Sequence, residues 1–124
     1  MYEVFIQVRF SAAHFLAGHP GPCRNLHGHN WLVRVSLRCR ELDGLGMGYD
    51  FTVLKEELSG ICRGLDHAVL NELDYFRDRN PTAENVARFI HASLSERIND
   101  GRVEVSEVEV RETSDSGASY YRQM

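Results

Sequence analysis

The sequence predicts a single α+β domain, a four-stranded, mostly antiparallel sheet with two helices on one face. Three observations carry this. Two segments of strict two-residue alternation open the chain, two stripes of three- and four-residue spacing follow, and a valine-rich alternation closes it, giving the order β, β, α, α, β, β. Strands grouped apart from helices argue against a parallel α/β sheet. At 124 residues the chain (1–124) has room for one domain.

The first strand is read over residues 2–10, where Val4, Ile6, Val8 and Phe10 share one parity and Gln7 and Arg9 the other. The turn residues Gly18-His19-Pro20-Gly21-Pro22 interrupt it, because proline cannot donate to a ladder. A second strand follows, with Trp31, Val33, Val35 and Leu37 alternating against Arg34, Ser36 and Arg38. After Gly44, Gly46 and Gly48, a helix runs from Asp50 to about Gly64 on the stripe Phe51, Leu54, Leu58, Ile61. Residues 65–80 have no clean period and read mostly as loop. Asn80 reads as a helix cap, with Pro81 at the first helical position and the stripe Val86, Phe89, Ile90, Leu94, Ile98 behind it. The parity change between Val105 and Val108 predicts a third strand bulged near Ser106, and Ser119–Gln123 a short fourth.

Composition narrows the partners. A net charge of −4 cannot hold a polyanion by bulk field, so nucleic acid is excluded as the main partner. Lys55 is the only lysine, and so arginine-rich a basic complement leaves room for a local anion pocket. Cys23, Cys39 and Cys62 are odd in number and lack a CxxC spacing, which fits a reducing cytoplasm better than a disulfide scaffold. The opening MYEVFIQVRF has no apolar signal core, and no run is long enough to span a membrane.

The chemistry concentrates at His27-Gly28-His29. Two residues apart on a strand, both imidazoles face one side, and His14 falls on the apolar parity of the neighbouring strand if the pleat continues. Three neutral imidazoles with one vacant position are the ligand set of a catalytic zinc; a lone HxH without His14 would be as well explained by hydrogen-bonded polar residues. Cys23, four residues before His27, is either a fourth ligand that closes a structural site or a nearby base, and spacing does not choose. Asp66-His67 pairs a carboxylate with an imidazole, and Glu112 could accept a guanidine-like edge of a heterocycle, although a solvated acid at a strand end is the plainer reading. His19, His91, Cys39 and Cys62 read as structural.

FSAAHFL around His14, CRNLHGH at Cys23–His29, LDHAVLNE around Asp66-His67, NPTAENVA from Asn80 and VRETSDSGASY near the end together resemble the 6-pyruvoyl-tetrahydropterin synthase family, in order over nearly the whole chain. The three-residue spacer between Cys23 and His27 is most similar to the bacterial 6-carboxy-5,6,7,8-tetrahydropterin synthases. The resemblance implies the tunnelling fold, with trimeric barrels stacked into a cytoplasmic homohexamer. It further implies Zn²⁺ on His14, His27 and His29, Cys23 as proton-abstracting base, and Asp66 and His67 as proton relay. Glu112 would anchor the pterin, and Thr82 frame its ring. The implied reaction converts 7,8-dihydroneopterin triphosphate to 6-carboxy-5,6,7,8-tetrahydropterin with loss of triphosphate and acetaldehyde, a lyase step toward queuosine. The alternatives are an enzyme that stops at 6-pyruvoyl-tetrahydropterin and a non-catalytic protein whose zinc Cys23 caps.

Overall fold

A computed structural model describes residues 1–122. The elements are β1 (Tyr2–His14), β2 (His27–Cys39), α1 (Phe51–Arg63), β3 (Ala68–Val69), α2 (Ala83–Ile98), β4 (Val103–Thr113) and β5 (Ser116–Tyr121). They form one sheet in the order β3-β1-β2-β4-β5. All pairings are antiparallel except β1 with β3, so the sheet is mixed and has five strands where four were expected. The additional strand lies in the 65–80 segment read as loop, and its two residues are too few to carry an alternation signal. The rest of that segment winds through two 3-10 turns that bury Leu70 and Phe76.

The β1 pleat runs past residue 10 to His14, pairing residue for residue with β2 from Tyr2↔Cys39 to His14↔His27. Its inward parity and that of β2 meet α1 and α2 in one core that includes Phe10, Trp31, Val33, Val35, Leu54, Leu58, Val86 and Ile90. Asp50 caps α1 by accepting from the Thr52 amide at 2.8 Å. The expected cap of α2 is corrected: Thr82, not Asn80, accepts from the Asn85 amide at 3.1 Å, and the helix starts at Ala83 rather than Pro81. Asn80 instead bonds the backbone N–H and C=O of Ala17, at 2.9 and 3.0 Å.

The bulge falls where the valine parity changes. Ser36 pairs with Glu107 and Leu37 with Val105, leaving Ser106 as the extra residue, its hydroxyl donating to the Ser36 carbonyl at 3.1 Å. Without it, either Val103 and Val105 or Val108 and Val110 would face solvent. The last strand begins at Ser116, earlier than expected; Gln123, its expected end, lies outside the described residues. No helix among the described residues is long and apolar enough to cross a membrane.

Candidate functional site

The paired ends of β1 and β2 bring three imidazoles together. His14 and His27 are directly opposite in the ladder, and His29 sits one pleat further along β2 on the same face. Ring centroids are 4.6 Å apart for His14–His27, 5.1 Å for His14–His29 and 4.9 Å for His27–His29. One ligand nitrogen from each lies within 4.8 Å of the other two.

Backbone acceptors fix how these rings present their nitrogens. His14 Nδ1 lies 2.7 Å from the Pro81 carbonyl and His27 Nδ1 2.7 Å from the Asn25 carbonyl. A carbonyl only accepts, so each Nδ1 carries a proton, which leaves Nε2 as the nitrogen of each ring free to bind a metal. The Nε2 atoms of His14 and His29 are buried and have no hydrogen-bond partner. Trp31, fully buried, stands edge-on to both rings at 4.9 and 5.4 Å and donates its indole N–H to the Ala12 carbonyl at 3.1 Å. Burial holds the His14 and His29 pKa values below the ordinary imidazole range, keeping the rings neutral. Orphaned, convergent nitrogen lone pairs held by outer hydrogen bonds fit a divalent metal ion, and the donor set suits zinc among others.

Glu112 follows Val108 and Val110 on the inward parity of β4, and its carboxylate reaches the same cluster. Its Oε1 is 3.9 Å from His14 Nε2 and its Oε2 3.8 Å from His29 Nε2. Cys23 is half-buried in the single 3-10 turn Pro22–Arg24, and its carbonyl accepts from the Leu16 amide at 2.8 Å. Its sulfur is not part of the tight three-nitrogen group.

Asp66 and His67 stand elsewhere. Asp66 Oδ1 accepts from the Ser11 amide at 2.9 Å, while the His67 amide donates to the Ser11 carbonyl at 2.6 Å. This corner pins His67 at φ 56°, a left-handed conformation costly for a residue with a Cβ, and sets its Nδ1 3.0 Å from Asp66 Oδ2. Those contacts, with the backbone bonds first, hold the Asp66 carboxyl below the usual range. The His67 side chain is 83% exposed, and it lines a cavity of about 480 Å³ with Ser11, Ala12, Asn30, Val69 and His29 of the cluster. No hydrogen bond or ion pair joins this dyad to Cys23 or to the three histidines among the described residues. Thr82 uses its hydroxyl to cap α2, next to the Pro81 carbonyl that orients His14.

The sequence reading missed the supports: the Pro81 and Asn25 carbonyls, Trp31 as a prop, and the paired clamps of Asn71 on Phe15 and Asn80 on Ala17. The clamps fix the chain as it leaves His14. The asparagines in NELDY and RNPT were the available signal, since a lone Asn in an aperiodic stretch often satisfies a neighbouring backbone. His19 is structural as expected, accepting from the Gly21 amide, and His91 is buried on α2.

Comparison with known proteins places the chain in a family. The family profile described as 6-pyruvoyl tetrahydropterin synthase matches residues 3–123. A 6-carboxy-5,6,7,8-tetrahydropterin synthase from Synechocystis is 38% identical, over 98% of this chain and 94% of that protein. A protein of the same name from Bacillus subtilis is 31% identical over 96% of this chain and 84% of its own. The structure of Caenorhabditis elegans 6-pyruvoyl tetrahydropterin synthase superposes with a TM-score of 0.84 at 30% identity, covering 99% of this chain and 98% of that one. The tunnelling fold is thus in place, with one short strand more than its sequence announced, and this chain belongs to the 6-pyruvoyl tetrahydropterin synthase family of pterin enzymes.

Proposed function

We propose that this single-domain chain is a zinc-dependent 6-carboxy-5,6,7,8-tetrahydropterin synthase acting on 7,8-dihydroneopterin triphosphate. The observation that carries the reading is the cluster of His14, His27 and His29 with two buried, unpartnered Nε2 atoms, in a chain whose relatives at 38% and 31% identity bear that name. Zinc held there supplies Lewis acidity that makes the C–H and O–H bonds of the substrate's hydroxylated side chain easier to ionise. Cys23, outside the nitrogen group yet in the turn leading to His27, serves as the base that takes a side-chain proton. His67, oriented by Asp66, carries protons on the other side of the substrate. Glu112 accepts the guanidine-like edge of the pterin, and Thr82 frames the ring.

Triphosphate leaves by elimination, two electrons pass from side chain to ring, and one water is consumed as the side chain is cleaved to acetaldehyde. No external oxidant or reductant is needed. The exposure of His67, which lines the same cavity as His29 without a bond to the cluster, supports a site completed between copies, as in a homohexamer built from two trimers. The product would feed 7-deazapurine (queuosine) synthesis in the cytoplasm.

A second reading, 6-pyruvoyl-tetrahydropterin formation, is favoured by the name of the C. elegans structural neighbour. The closed-zinc alternative is disfavoured because the Cys23 sulfur is outside the ligand group. Incubation of the purified chain with 7,8-dihydroneopterin triphosphate and mass analysis decides: the carboxy product with acetaldehyde is expected, and a pyruvoyl product without acetaldehyde would move the assignment. His27→Ala is expected to lose both metal and turnover; turnover in metal-free His27→Ala would remove zinc from the mechanism.

A further inference from the structure

We propose that Glu112 is part of the metal centre in the substrate-free protein, its carboxylate drawn between His14 and His29 by the cation they hold. The inference rests on the metal reading above and goes beyond it, since Glu112 had been assigned only to the pterin. The alternation Val108, Val110, Glu112 hands the carboxylate to the face of β4 that meets the histidines. Its two oxygens divide between two rings, 3.9 Å from His14 Nε2 and 3.8 Å from His29 Nε2. Both distances exceed a hydrogen bond, and both nitrogens are orphaned. The Pro81 carbonyl takes the Nδ1–H of His14, which leaves Nε2 as the nitrogen that faces the carboxylate. A cation seated there would meet nitrogen and carboxylate donors together. Glu112 lies outside the tight three-nitrogen group and faces the metal-side nitrogens, so it acts by its charge beside the cation, while the Pro81 and Asn25 carbonyls orient His14 and His27.

The geometry also sets a sequence of events. The guanidine-like edge of a pterin is at the far end of the bicycle from the side chain that would meet the metal. A carboxylate against the ligand nitrogens therefore has to leave them to grip that edge, and Glu112 has two stations rather than one.

The test is metal binding by the chelator-stripped, full-length protein, titrated with Co²⁺ alone against a competing chromophoric chelator, with the cobalt visible spectrum as a second readout. Glu112→Gln is expected to weaken Co²⁺ binding by about 10-fold and to shift the spectrum, because it removes a negative charge a few ångström from the cation. Glu112→Asp, which retracts the carboxylate by one methylene, is expected to fall between. Glu109→Gln removes a charge from the same strand at a residue paired with Arg111 and is expected to bind as the unsubstituted protein does. Equal affinity and spectrum for Glu112→Gln, or an equal loss in Glu109→Gln, would overturn the proposal while leaving the three-histidine site intact. Failure of the unsubstituted chain to bind Co²⁺ would overturn both.

Discussion

Acidification of the metal-free chain tests the burial of its histidines directly. His14, His29 and His91 are 1%, 17% and 8% exposed, and burial lowers the pKa of each in the folded state below about 6.5, the value an unfolded chain restores. The sign follows from proton counts. Well above pH 6.5 the rings are neutral in both states and contribute no slope. Below it the unfolded chain takes up protons that the folded chain refuses, so stability falls with falling pH until each folded pKa is passed. Each such histidine contributes at most about 1.4 kcal/mol per pH unit to that slope, reached only where the unfolded ring is protonated and the folded one is not. Urea unfolding of the metal-free protein from pH 7.5 to 5 measures this. His91→Leu, on α2 against Tyr120 and away from the cluster, should remove its own share and make the profile shallower. A flat profile between pH 6.5 and 5 would refute the claim that these rings are held neutral by burial.

The other expectations are more local. Cys23→Ala should keep its metal, because the sulfur is outside the ligand group, but lose about 10²- to 10⁴-fold in turnover, the usual worth of a positioned base; metal analysis beside a product assay separates base from ligand. His67→Gly relieves the φ of 56° and should hold or raise stability by up to about 1 kcal/mol while turnover collapses; a marked drop in a thermal melt would show that the corner is not strained. Cys62, whose thiol is pushed up to about 12 by burial and by the nearby Asp66 charge, should resist iodoacetamide at pH 8 in the folded protein, with half-buried Cys23 labelled first, as read by peptide mass spectrometry.

Much of the fold was legible because it is written in short periods. Two-residue alternation in β1 and β2 set which side chains share a face, and that alone put His14, His27 and His29 on the core side once the strands paired in register. The bulge at Ser106 was visible for the same reason, as a break of parity between Val105 and Val108. What escaped depends on partners distant along the chain. The strand Ala68–Val69 has no pattern of its own and exists because β1 offers an open edge. Asn80 carries every local mark of a helix cap, yet the backbone of Ala17, 63 residues away, claims its amide, and Thr82 caps instead.

The sequence by itself therefore determined the class of fold and the face on which the three imidazoles meet, because each of these follows from side-chain type and pleat parity. Tertiary structure alone decided that His14 and His27 are oriented by the Pro81 and Asn25 carbonyls, that Glu112 lies against the ligand nitrogens, and that His67 comes to line one cavity with His29. A hydrogen bond or an ion pair is fixed by where two backbones bring their atoms, and that distance is a property of the folded chain rather than of either segment alone.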